Sequence, residues 1–122
     1  MNKSQAINAF WNSFGIPAYD ENSVPDGATF PYITYAEATD SLDNVVYLTA
    51  SIWDKSTSWQ NVTLKSEEVA RKLGEYGFYR MKLDNGYVWL VKGSPFAQRM
   101  GDTDDRIKRI FLNVQAEFLT AY

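Results

Sequence analysis

Between Gly77 and Val91 the chain reads Phe78-Tyr79-Arg80-Met81-Lys82-Leu83, then Asp84-Asn85-Gly86, then Tyr87-Val88-Trp89-Leu90-Val91. No other feature restricts the fold as strongly. Asn-Gly between two runs of β-type residues specifies a tight hairpin, because both central residues of a type I′ turn take positive φ. A two-residue loop at Asn85-Gly86 pairs Leu83 with Val88, Lys82 with Trp89 and Met81 with Leu90. The chain therefore contains antiparallel sheet.

Two further stretches alternate with period 2. In Val45 to Trp53, Val46, Leu48, Ala50 and Ile52 alternate with Val45, Tyr47, Thr49, Ser51 and Trp53. Apolar groups on both faces suggest a central strand covered on each side. In Arg106 to Phe118, Ile110, Leu112, Val114, Ala116 and Phe118 alternate with Arg109, Phe111, Asn113, Gln115 and Glu117. That alternation favours a long strand, although Gln, Ala, Glu and Leu also suit a helix. Pro31 opens another β-rich run, Tyr32 to Glu37, and a polar turn covers 39–44.

Helical periods occupy two places. Ile7, Phe10, Trp11 and Phe14 form one stripe, with Ser4 as a cap, Gly15 as a C′ glycine and Pro17 blocking continuation. Trp59, Val62, Ser66, Val69, Leu73 and Tyr76 form a second, capped at Ser56, Thr57 or Ser58 and ended by Gly74 or Gly77. Glu67–Arg71 and Glu68–Lys72 are spaced as supporting i,i+4 pairs on its charged face. Residues 16–30, with the turn signal Pro25-Asp26-Gly27, read as one long connection, and Lys92 to Asp105 as another. The element order is α-β-β-α-β-β-β. This is an α+β fold with a mainly antiparallel sheet of about five strands and two helices packed on it. With 122 residues and 45% of them hydrophobic, residues 1–122 suffice for a single domain with its own core.

The sequence holds neither Cys nor His. Disulfides, thiol nucleophiles, Cys/His metal sites and Ser-His or Cys-His machinery are thereby excluded. There is no phosphate-binding GxxxxGK[ST] loop and no GxGxxG after a strand. Asp102-Thr103-Asp104-Asp105 is the densest acid cluster, but it fails the spacing of a calcium loop and reads as a solvated loop or strand entry. Carboxylate pairs among fifteen acids carry no information. The expectation is a protein that is not an enzyme and that uses no cofactor or metal.

Charge is unevenly spread. Residues 1–54 carry Lys3 alone against seven acids, a net of −6, and residues 55–122 carry eleven cations against eight acids, a net of +3, giving −3 for the whole. Ordinary solvated surface would explain this; so would opposite faces of opposite sign, as suits head-to-tail association between copies. The net acidity gives no footprint for nucleic-acid binding. No apolar run is long enough to span a membrane and the N-terminus lacks a signal-peptide pattern, so a soluble intracellular product is expected.

Aromatic residues make up 16% of the chain. Trp11, Phe14 and Trp59 fall on helix core stripes. Trp53, Trp89, Tyr32, Tyr35, Tyr79 and Tyr87 lie on strands, where they cover a second sheet face or meet a partner. Tyr, Trp, Phe, Met and Arg are the types enriched at protein interfaces. Phe96, Arg99 and Met100 bring three of those types into one connection, which either folds back on its own core or is buried by a partner. The candidate interface residues are Pro25, Asp26, Ser94, Pro95, Phe96, Arg99, Met100 and Asp102, on two connections expected to order on assembly. The rival reading is a sugar- or peptide-binding module, which would display two or more of Trp53, Trp89, Tyr79 and Tyr87 coplanar and exposed.

A short N-terminal helix leads through a Pro-containing loop into FPYITY (Phe30 to Tyr35). A strand ending SIWDKSTSW (Ser51 to Trp59) then runs into a helix, a hairpin, an Arg-containing loop and a final alternating strand. In this the chain resembles the tail-terminator or tail-completion proteins of long-tailed bacteriophages and prophages. The resemblance implies a virion structural protein of the tail and neck, made in the host bacterial cytoplasm. It implies a ring, usually of six copies, that caps the tail tube, with the tail-tube protein and the head connector protein as partners. DNA would pass through the ring without specific binding, and no membrane is involved. A head-side connector or adaptor of the phage neck is the neighbouring alternative.

Overall fold

Asn2, Gln5 and the apolar stripe behind them start the first helix. In the computed structural model, which describes residues 1–36, 45–74 and 77–120, α1 spans Lys3–Trp11. The cap is Asn2 rather than Ser4: its side chain accepts from Gln5 N at 2.8 Å, and Gln5 Oε1 accepts from Asn2 N at 2.9 Å. Gln at the third helical position makes this reciprocal box possible. Ile7, Phe10, Trp11 and Phe14 are all buried, and after a 3-10 turn over Asn12–Phe14 the chain leaves through Gly15 at φ 80°. The expected turn at 39–44 and the stripe residue Tyr76 lie outside the described residues.

The remaining elements are β1 Ala18–Asp20, β2 Tyr32–Tyr35, β3 Val45–Lys55, α2 Gln60–Gly74, β4 Tyr79–Leu83, β5 Gly86–Met100 and β6 Ile107–Thr120. The fold is α+β, with one six-stranded sheet in the order β1-β2-β3-β6-β5-β4. Its pairs are antiparallel except for the parallel β1–β2 pair. The sheet thus has one strand more than the sequence suggests, because β1 lies inside the 16–30 connection. Asn12 holds it there: its side chain accepts from Ala18 N at 3.0 Å and donates to Ala18 O at 3.3 Å. Such a latch leaves no periodic trace in three residues.

β6 alternates as expected, pairing with β3 from Ile107 to Glu117 and with β5 on its other side. Its residues Ile110, Leu112, Val114, Ala116 and Phe118, with Val46, Leu48, Ala50 and Ile52 of β3 and Val88 and Leu90 of β5, are buried in one core with α1 and α2. The expectation that β3 is covered on both faces does not hold. Both helices pack on one face, and on the other Tyr47 is 62% exposed. There Ser51 is buried under the side chain of Arg109, whose Nε donates to its Oγ at 2.9 Å.

The second connection, expected over Lys92 to Asp105, is mostly strand. β5 continues to Met100, with a bulge in which Gly93, Ser94, Pro95 and Phe96 stand opposite Asn113 alone. Gly93 permits the close approach, since a Cβ there would meet Asn113 O at 2.8 Å. Pro95, which lacks an N–H, sits where the ladder is already interrupted. Beyond the bulge the facing is exchanged. Ala97 and Arg99 lie opposite Leu112 and Ile110 on the helix-covered face, and Gln98 and Met100 lie opposite Phe111 and Arg109 on the open face.

The β4–β5 hairpin forms, with its register displaced. Leu83 pairs with Gly86 and Met81 with Val88, so Asp84 and Asn85 make the turn. Among the described residues only glycines have positive φ, which excludes the expected type I′ turn at Asn85-Gly86. Gly86 opens β5 instead, at φ 154°, where a Cβ would lie 2.0 Å from Leu119 O on β6. The displacement is by two residues, so Leu83 and Val88 keep the core face they were expected to share.

Helix α2 begins where expected, with Ser58 Oγ accepting from Gln60 N at 3.1 Å. The two i,i+4 pairs do not form. Glu68 binds Lys65 at 3.2 Å, and Lys72 Nζ turns to Ser13 Oγ at 2.7 Å and to the rings of Phe10, Phe14 and Tyr79. Tertiary partners outcompete a surface pair of a few tenths of a kcal/mol.

Gly86→Ala is expected to lower stability by about 2 kcal/mol or more, through backbone strain and collision with the Leu119 carbonyl. In a chain of this size that is roughly 8 °C of melting temperature. Gly27→Ala, with nothing within 4 Å of the new Cβ, is the matched control and should melt within about 2 °C of wild type.

Candidate assembly surfaces

The strand aromatics are the first residues to place. Trp53 donates from Nε1 to Thr34 Oγ1 at 2.9 Å, and the Arg109 guanidinium lies 4.7 Å from its ring. Trp89 is stacked on Phe78 at 4.6 Å with planes 8° apart. Tyr87 has Arg80 at 5.1 Å, and Tyr79 turns to the helix side, 5.6 Å from Phe10. Trp53 and Trp89 lie opposite Arg109 and Glu117, eight residues apart on β6 and so roughly 26 Å apart along the strand. Of the four rings only Tyr87 is exposed, the others being half-buried, so no two of them present the coplanar exposed platform that a sugar would stack on.

The eight candidate interface residues fall into two groups. Pro25 and Asp26 are exposed on the connection from β1 to β2. This segment is built of turns: Ser23 N donates to Asp20 O at 2.9 Å and Ala28 N to Pro25 O at 3.0 Å. Asp26 and Gly27 are the central pair of that second turn, and Gly27 keeps a negative or extended φ there. Ser94 and Pro95 are exposed in the β5 bulge, while Phe96 beside them is half-buried against the chain's own core.

Arg99 and Met100 close β5 on opposite faces. Arg99 lies 4.9 Å from the Trp59 ring on the helix side, and Met100 is 37% exposed on the open face. Asp102 follows in the short β5–β6 connection and is exposed. The structure therefore gathers six of the eight along β5 and its exit. Three strands (β2, β3 and β6) separate β5 from β1, where the 20–31 connection begins.

The acid cluster is wired into that exit turn. Asp102 Oδ1 accepts from Asp104 N at 3.0 Å, and Asp104 takes Arg106 Nε at 3.2 Å, Nη2 at 3.0 Å and N at 2.9 Å. The Arg106 side chain, with its backbone N–H, holds the Asp104 carboxyl below its ordinary range, and the same contact raises Arg106. Among the described residues no three acids gather as a metal-ligand set.

Charge follows the strand order. No Lys or Arg occurs between Lys3 and Lys55, the stretch that forms β1, β2 and nearly all of β3. Asp20, Glu21 and Asp26 project from this side, and none is within 4.0 Å of a cation among the described residues. On the other side Arg80, Lys82, Lys92 and Arg99 line β4 and β5. Among the described residues, Arg71, Lys72 and Lys92 line an open groove of about 650 Å³ together with Ala70 and Gly74. No local pattern marks this groove, because Lys92 reaches the end of α2 only through β5 packing. Its Nζ lies 3.3 Å from where a Cβ of Gly74 would stand.

No family model and no curated protein matches the chain. Among solved structures, it is similar in fold to a chain of the "Virion of native gene transfer agent (GTA) particle", with a TM-score of 0.59 and 16% identity. The likeness covers 91% of this chain and 82% of that one.

Arg106→Gln should move the Asp104 titration upward toward the ordinary carboxylate range, as read by carboxyl NMR. The sign is that of a depressed acid: the contact contributes stability above the unfolded-state pKa and loses it as pH falls through the lower folded value. An unchanged Asp104 titration in the variant would contradict the assignment of Arg106 as the cause.

Proposed function

We propose that this chain is a structural protein of a virion: a tail terminator that caps the tail tube as a ring of six copies and joins it to the head connector. The observation that carries this reading is the likeness in fold, over 91% of the chain, to a chain of a virion. The motif order from Phe30 to Trp59 and onward supports the finer assignment to the tail end. The division of charge across the sheet supports association of unlike surfaces, which a closed ring requires.

The role is mechanical rather than catalytic. A subunit of net charge −3 supplies little of the counterion release that drives binding to phosphate backbones, so DNA passes the ring without specific contact. Tail-tube and head-connector proteins are the partners on its two sides.

Inactivating the gene in the element that encodes it tests the reading by electron microscopy of the resulting lysates. The expected outcome is filled heads beside separate tails of uneven length, with joined particles restored when the gene is supplied in trans. Tails of normal length beside leaking heads would place the protein on the head side instead. Normal particles would remove it from the virion altogether.

A further inference from the structure

We infer that the cationic groove at the end of α2 receives the acidic 20–26 segment of a second copy of this chain. The inference rests on the ring reading and names the contact through which neighbours meet. Three cations, Arg71, Lys72 and Lys92, line a groove of about 650 Å³ together with Ala70 and Gly74 among the described residues. The C-terminal end of a helix contributes only about half a negative charge. Among the described lining residues, three positive charges stand against that half charge.

None of the three cations has a carboxylate partner within 4.0 Å among the described residues. Lys72 is tied to Ser13 and to aromatic faces, which fixes its position without neutralising it. Arg71 and Lys92 are exposed.

The occupant is argued from complementarity. Asp20, Glu21 and Asp26 lie within seven residues, in a region with no Lys or Arg from position 4 to position 54. Their segment is already shaped by hydrogen bonds from Asn22 N to Asp20 Oδ1, Ser23 N to Asp20 O, Glu21 N to Tyr35 O and Ala28 N to Pro25 O. A preformed loop loses little conformational freedom on docking. Groove and segment are different surfaces of one subunit, so unless a two-fold reciprocates it the contact repeats from copy to copy, as a ring requires.

Charge reversal tests it. The pair Arg71→Glu with Lys92→Glu, and the pair Glu21→Lys with Asp26→Lys, change exposed side chains only, with folding checked by thermal melts. Sedimentation at about 50 mM salt, where such contacts are least screened, should show concentration-dependent association of the wild type. Either reversed protein alone should associate at least about tenfold more weakly. An equimolar mixture of the two should regain association, because the acidic groove of one then meets the basic segment of the other. Carbodiimide coupling of isotopically mixed wild type should join Lys92 to Glu21 or Asp26 between copies. A wild type that stays monomeric, a mixture that fails to associate, or reversed proteins that behave as wild type would each overturn the inference. In the last case copies still associate, so the ring reading survives while this interface falls; gene inactivation that leaves normal particles removes the ring reading on separate grounds.

Discussion

The double-sided pairing of β6 is the constraint on which the other elements depend. Ile107 to Glu117 bond to β3, and Arg109 to Thr120 bond to β5 with one interruption. Because side chains alternate, this register commits Ile110, Leu112, Val114, Ala116 and Phe118 to a single face. Each large member contributes about 1.5–3 kcal/mol by leaving water. A slip of one residue would exchange these for Arg109, Asn113, Gln115 and Glu117, so the apolar pattern locks the register. The helices follow from that lock. α1 crosses the strands with Met1 bonded to Asp84 at the β4–β5 turn and Asn12 holding β1. α2 is joined to the end of α1 through Lys65 to Phe14 O and Lys72 to Ser13.

Two glycines let β5 follow β6 for its whole length. At Gly86 and Gly93 the backbone of β6 comes so near that a Cβ would collide with the carbonyls of Leu119 and Asn113. Gly93 opens the bulge, and the bulge exchanges the two faces of β5. Arg99 can then cover Trp59 while Met100 turns to the opposite face. A regular strand would have put those two side chains on the other faces. The bulge thus sets which β5 side chains the open face presents.

Much of this was legible in the sequence where a signal was local and periodic. The strands β3 and β6, the stripe and Gly15 exit of α1, and the body of α2 all carry patterns tied to one core. What was not legible depends on distant atoms. The hairpin register turns on a carbonyl 33 residues from Gly86, which no turn propensity encodes. β1 exists because Asn12 bonds both of Ala18's backbone groups. The strand character of 97–100 was hidden by Gly93 and Pro95, which punctuate loops more often than bulges. Phe96 illustrates the same limit at the candidate site. Composition marks it as interface-like, and packing places it against its own core.

The uneven charge was visible as numbers, but its meaning comes from topology. Strand order β1-β2-β3-β6-β5-β4 lays the first half of the sheet, from residues 18–55, beside the second half, from residues 79–120. A difference along the chain thereby becomes a difference across the sheet. Such a subunit has consequences for how copies can meet. A two-fold contact through either charged side brings like charges together across the axis, which costs free energy at close range. A head-to-tail contact brings unlike charges together at every interface and leaves no subunit frustrated except at an open end. Closure into a ring removes even that end. Electrostatics of this kind biases the choice among symmetries before any close packing is made, away from two-fold contacts that join one charged side to itself.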